Sequence, residues 1–183
     1  MTEKDALEIL KKYTTKPNLI NHAKAVAATM RHFAIIECED PEYWAVVGLL
    51  HDIDYECCPE NHCHECVKIL KKEGFDDKFI RSVQSHGYEI CTDVCPACYM
   101  EEVLCAVDQL TGFLIACALV KPEKKLASVE MPSVMKKWKT PAFAAGTERK
   151  RIEGVCQRMD RTLEYMMEQT LIALQGISDE LGL

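Results

Sequence analysis

Apolar residues recur along this chain at steps of three and four, and no stretch alternates with a period of two. That periodicity constrains the fold more than any other feature, because it puts one stripe per segment on the face of a helix and leaves nothing for a half-buried strand. Leu19, Ala23, Val26, Met30 and Phe33 make one unbroken stripe after Pro17. Trp44, Val47, Leu50 and His51 continue the pattern after Asp40-Pro41, a capping residue followed by a proline suited to the first helical turn. The 8 glycines and 7 prolines fall mostly between such segments.

The spacing predicts a first helix near Thr2–Tyr13, a second from Pro17 and a third from Pro41 to His51. Asp54 to Pro59 reads as a loop. A fourth helix is expected near Glu60–Lys72, ending on Lys71, Lys72 and Gly74. Asp76 opens a fifth that closes near His86-Gly87, and Cys91–Cys98 reads as a loop. A long helix is expected near Met100–Val120, stopped by Pro122. Residues 121–148 read as short pieces broken at Pro132 and Pro141, and the tail from Arg149 as helical to the end. Leu163, Met167, Leu171, Leu174 and Ile177 form the tail's apolar side, a core stripe or the face of a homodimer. With 183 residues, 48% hydrophobic and 28% charged, this predicts one all-α domain, a helical bundle without linker or internal repeat.

Composition narrows the function classes. Lys and Arg number 22 against 29 Asp and Glu, a net charge of −7, which disfavours a nucleic-acid polymer as partner. The polar start has no apolar stretch resembling a secretion signal, and the weakly polar run Leu110–Val120 is too short to cross a bilayer. A cytoplasmic chain, monomeric or homodimeric and without a membrane partner, is the expectation. The 11 cysteines, an odd number in a chain of this size, suit free thiols better than a disulfide framework. Cys63-His64-Glu65-Cys66 and Cys95-Pro96-Ala97-Cys98 are both C-x-x-C, the spacing of half a zinc site, and a buried-thiol reading competes with it.

Six polar residues stand out by position: His22, His51, Asp52, His62, His86 and Asp108. His22 lies between Leu19 and Val26 on one stripe, and His51 four residues after Val47 on another. Asp108 lies inside the most hydrophobic predicted helix. An ionised carboxylate there is expensive unless paired or bound to a cation, and inward histidines supply lone pairs. Each alone could be a hydrogen-bonded core residue; together they point to a metal cage.

These residues, in this order, resemble the HD superfamily of metal-dependent phosphohydrolases. The strings Ile20-Asn21-His22-Ala23, Gly48-Leu49-Leu50-His51-Asp52-Ile53-Asp54 and Ala106-Val107-Asp108-Gln109-Leu110-Thr111-Gly112 carry the likeness over about residues 17–120. Ser133–Lys139 and Phe143-Ala144-Ala145-Gly146 are similar to a bacterial branch of predicted hydrolases. The resemblance implies an HD-domain bundle with extra C-terminal helices over about 121–183. It implies a divalent ion (Fe, Mn, Mg, Co or Zn) on His22, His51, Asp52 and Asp108, and no organic cofactor. In members with two ions, His62 and His86 would hold the second, with Asp52 bridging. Asp54-Tyr55 stands where the HD-GYP phosphodiesterases have Gly-Lys, and their GYP string is missing, so a cyclic dinucleotide is not implied.

The activity implied is hydrolysis of a small phosphorylated metabolite, a nucleotide first among them. Asp52 and Asp54 are the candidate catalytic carboxylates, Asp54 orienting either water or a histidine. Glu56 reads as a solvated loop carboxylate, and His32 and His64 as surface or structural residues. The alternatives are a di-iron HD-type oxygenase and a metal-binding regulator without turnover. Lys136, Lys137 and Lys139 cluster beside Trp138 in an irregular segment. They are the candidate binders of a substrate phosphate, with at least one expected over the metal cleft and Trp138 able to cover a ring.

Overall fold

Three of the first five helices start on a side chain that accepts the free N–H groups of the first turn. In the computed structural model, which describes all 183 residues, α1 (Glu3–Leu10) opens on a reciprocal capping box between Thr2 and Asp5. α2 (Pro17–Ile36) opens on Pro17, with Glu56 accepting from the Thr15 and Lys16 amides just before it. Glu56 is thus a capping residue, a tertiary role that its loop position did not reveal. The Asp40 carboxylate caps α3 (Pro41–Leu50), and Asp76 caps α5 (Asp77–Ser85).

α4 is Glu65–Lys72, shorter than the predicted Glu60–Lys72. Pro59–Asn61 forms a 3-10 turn, and Cys63 sits at φ +65°, a left-handed conformation that a continuing helix cannot contain. α6 (Tyr99–Leu119) is the long helix. It is long and apolar enough to cross a membrane by length and composition, unlike the Leu110–Val120 run alone, yet most of it is buried inside the bundle.

α7 (Met131–Trp138) has Pro132 in its first turn, where the missing N–H costs nothing, so this proline starts a helix and does not break one. The tail is α8 (Arg149–Arg158), α9 (Leu163–Gly176) and α10 (Ser178–Leu181). Asp160 at φ +52° and the capping Thr162 separate α8 from α9, so the tail is not continuous. The chain is helical, with a lone Tyr88–Thr92 bridge and no strand.

One contiguous apolar core of 46 residues runs from Ala6 to Leu174. α2 lies at its centre, against α3, α6 and α9. Gly48 lets α2 and α3 approach closely: a Cβ there would lie 2.9 Å from Met30 Cγ and 3.1 Å from Ala27 Cα. That approach brings the end of α3 beside His22. Met166, Met167, Leu171 and Leu174 are buried against the chain's own α2 and α6, so the C-terminal stripe closes its own bundle.

Candidate metal centre

The six candidate residues, three picked out by spacing and three by the resemblance, converge from five segments. His22 comes from the second turn of α2, and His51 from the residue that caps α3, with Asp52 following it. His62 comes from the irregular stretch before α4, His86 from the residue that caps α5, and Asp108 from the middle of α6. His22 Nε2 lies 3.0 Å from Asp108 Oδ1 and 3.8 Å from Asp52 Oδ2. His51 Nε2 is 3.4 Å from each of the same two oxygens. The other oxygen of Asp52, Oδ1, is 3.4 Å from both His62 Nε2 and His86 Nε2, which are 3.2 Å apart. Asp52 therefore stands between two halves: His22, His51 and Asp108 on one side, His62 and His86 on the other.

Hydrogen bonds at the far ring nitrogens fix how three histidines face inward. His51 Nδ1 donates to Gly48 O at 2.7 Å and His86 Nδ1 to Val83 O at 2.6 Å, each reaching the carbonyl three residues back at the end of its helix. His62 Nδ1 donates to Asp54 Oδ1 at 2.8 Å. A carbonyl or carboxylate can only accept, so each Nδ1 carries a proton and each Nε2, as a lone pair or with a second proton, points into the cluster. Two such lone pairs 3.2 Å apart, on His62 and His86, repel unless a cation or a shared proton lies between them.

The fit to a cation is sharpest at His51. Its side chain is wholly buried, and Nε2 has no hydrogen-bond partner although two carboxylate oxygens are 3.4 Å away. A buried nitrogen left in this way is costly. Ligands bound at about 2.1 Å lie about 3.0 to 3.4 Å from one another across right-angled to tetrahedral geometry, and the donor spacings above fall in that range except His22 to Asp52 at 3.8 Å. Three overlapping groups have all their donor atoms within 4.8 Å of one another: His22–His51–Asp108, His51–Asp52–His86 and His62–Cys63–His86.

Electrostatics follow the same plan. Burial would raise the Asp52 carboxyl, but His51 and His86 outweigh it and hold it well below the ordinary carboxylate range. Burial likewise opposes ionisation of Asp108, and His22 and His51 hold it far down. Burial disfavours protonated His51, yet Asp52 and Asp108 lift it well above the usual imidazole value. At His62 burial also opposes the charge, and Asp54 and Asp52 raise it. His51 and His86 form the buried floor, while His22, Asp52, His62 and Asp108 keep 24%, 20%, 15% and 17% of their side-chain surface open.

Asp54 is not in a position to act on substrate. It is fully buried, with Oδ1 on His62 and Oδ2 accepting the Cys66 N–H at 2.7 Å. Of the two roles foreseen for it, orienting a histidine is the one its contacts match, and Asp54 is a positioning residue. His64 Nε2 donates to Cys91 O, and His32 Nε2 donates to Gln169 Oε1.

The three lysines make no contact with the cluster. Lys137 donates to Ser133 Oγ and lies over the Phe143 ring, while Lys136 and Lys139 are exposed without an ion-pair partner. α7 packs on the later turns of α6, where Trp138 is buried edge-on to Phe113 and bonded to Glu153. Trp138 is therefore a core residue and cannot cover a ligand. The C-x-x-C pairs are not gathered with each other either: Cys66 is buried, Cys95 and Cys98 are exposed, and of the four cysteines only Cys63 joins a group of donor atoms.

Two residues outside those six matter here. Arg151 of α8 donates to His86 O, Tyr88 O and Cys105 O, which ties α8 to the end of α5 and to α6. Cys63 lies beside His62 with Sγ 3.8 Å from His86 Nε2 and 3.0 Å from Cys91 Sγ. The contact with Cys91 and burial push the Cys63 thiol up, and the same contact draws Cys91 down to about 6 against its own burial. Comparison with protein-family models, curated proteins and solved structures finds no match to this chain in any of the three.

Proposed function

We propose that this protein is a metal-dependent phosphohydrolase of the HD type, acting on a small phosphorylated metabolite, a nucleotide first among them. The observation that carries the reading is the buried His51 Nε2, tautomerically fixed, without a hydrogen-bond partner and facing two carboxylates. His22, His51, Asp52 and Asp108 would hold one divalent ion, and Asp52, His62 and His86 a second. Such ions supply a nucleophilic hydroxide at neutral pH and a Lewis acid for phosphoryl oxygens.

The chain's own residues do the rest. Asp54 fixes the His62 ring, and the Gly48 and Val83 carbonyls fix His51 and His86, so the donors need no rearrangement when charge develops. The partly open edges of His22, Asp52, His62 and Asp108 define the face from which a substrate arrives. Tyr55, 45% exposed and edge-on to His62 at 5.2 Å, offers a flat apolar surface at the rim to a base or sugar.

The test is metal analysis of protein purified without chelator, then a screen of phosphorylated metabolites with Mn²⁺, Fe²⁺, Mg²⁺ and Co²⁺, reading phosphate release. Release that disappears in Asp52→Ala is expected. Oxygen consumption without phosphate release, or bound metal without any turnover, would refute the hydrolase. Metal-free protein that takes up no ion would refute the centre itself.

A further inference from the structure

We infer that Cys63 is a sulfur ligand in the His62 and His86 half, which makes that half a site for a borderline-soft divalent ion such as zinc or ferrous iron in preference to magnesium. The inference rests on the metal-binding reading above and adds a donor to it.

Three donor atoms form one group, and Asp52 lies against two of them. His62 Nε2, His86 Nε2 and Cys63 Sγ all lie within 4.8 Å of one another, and Asp52 Oδ1 is 3.4 Å from both nitrogens. A tetrahedral zinc ion with nitrogen at about 2.1 Å and sulfur at about 2.3 Å separates N from N by about 3.4 Å and N from S by about 3.6 Å. The corresponding spacings here are 3.2 Å for His62 to His86 and 3.8 Å for Cys63 to His86.

Neighbouring residues in an extended chain project to opposite sides, so His62 and Cys63 could not ordinarily share a centre. The left-handed backbone at Cys63, φ +65°, folds the chain back and brings both inward. The sulfur then occupies space that only glycine leaves free: a Cβ on Gly87 would be 2.4 Å from Cys63 Sγ and 2.5 Å from Cys91 Sγ. Cys91 Sγ lies 3.0 Å from Cys63 Sγ, close enough to give its S–H to a metal-bound Cys63 thiolate, a bond to the donor sulfur of the kind that orients ligands elsewhere. Thiolate with imidazole selects zinc or iron, whereas magnesium takes oxygen donors.

Cobalt titration of the full chain, chelator-stripped and reduced, tests this without reference to activity. The wild-type protein should show a near-ultraviolet thiolate-to-cobalt charge-transfer band. Cys63→Ser should abolish the band and keep one bound Co²⁺ on the other half, while Cys66→Ser and Cys91→Ser should retain the band. Zinc affinity of that half should fall in Cys63→Ser by at least the 10–100-fold typical of losing an outer partner. Should the variant fail to fold, X-ray absorption of the zinc-loaded wild type should still find one sulfur at about 2.3 Å. Bound cobalt with no charge-transfer band, a band that survives Cys63→Ser, or a Cys63–Cys91 disulfide in the loaded protein would overturn the sulfur ligand and leave the metal centre standing. Failure to bind cobalt at all would overturn both.

Discussion

Asp54→Asn separates stability from metal binding, because the carboxylate it replaces serves two donors at once. One oxygen takes His62 Nδ1–H at 2.8 Å and the other the Cys66 N–H at 2.7 Å, in a fully buried setting. An amide has one accepting oxygen and one donating nitrogen, so it can satisfy only one of them. If the oxygen faces Cys66, the amide N–H meets His62 Nδ1, the imidazole proton moves to Nε2, and the lone pair that faced the cluster is lost. Affinity for the second ion should then fall 10–100-fold, about 1.4 to 2.7 kcal/mol. If the oxygen faces His62, two N–H groups confront each other at Cys66, and folding stability should fall by about 1–3 kcal/mol. Urea unfolding of the metal-free protein reads the second cost, and calorimetric titration with Zn²⁺ or Mn²⁺ the first. Whichever way the amide turns, the two measurements together should lose about 1 kcal/mol or more. A variant within about 0.5 kcal/mol of wild type in stability, with both ions bound at wild-type affinity, would show that Asp54 positions nothing.

Four further outcomes are expected. In metal-free protein, the stability due to the raised His51 is complete below its unfolded value of about 6.5 and lost as pH rises through the folded value, while that due to the lowered Asp52 and Asp108 is present above about 3.9 and lost on acidification. Unfolding free energy should thus peak between about pH 4 and 6.5, and a flat profile from pH 5 to 9 would contradict it. A divalent ion at 100 times its Kd should add about 2.7 kcal/mol, or roughly 5–10 °C in Tm for a chain this long, and EDTA should remove the gain in thermal scans. Gly48→Ala gains helix propensity worth about 1 kcal/mol but drives a methyl against Met30 and the Ala27 backbone at a cost of about 1–3 kcal/mol, so a net loss is expected by chemical denaturation. Changing Lys136 and Lys139 together to Ala should leave metal content and KM for a phosphorylated substrate unchanged, and a clear rise in KM would return these side chains to the substrate.

The helices and the six clustered residues were legible because both obey local rules. Periodicity placed His22, His51 and Asp108 on buried stripes, and caps such as Asp40 and Asp76 marked the starts. The finer arrangement lay in long-range contact. Nothing near Arg151 says that it will reach the carbonyl of His86, and nothing near Cys63 says that its backbone turns left-handed to share a centre with its neighbour. The run Lys136, Lys137 and Lys139 shows the opposite failure: a charge pattern is local, but the direction in which it faces is set by how Trp138 buries against α6.

The two halves of the cluster rest on foundations of different stiffness. His22 and Asp108 stand within helices of 20 and 21 residues, packed on each other through the core. His62 hangs from the stretch between α3 and α4, which is held by short turns and the Asp54 contacts. Segments of that kind open locally far more often than packed helices do. In the two-ion reading proposed above, exchange would be stepwise: the occupant beside His62 would turn over with the opening of that stretch, while its neighbour would leave only when the bundle itself loosens. Preparations of intermediate metal content would be a uniform half-loaded species, and not a mixture of full and empty molecules.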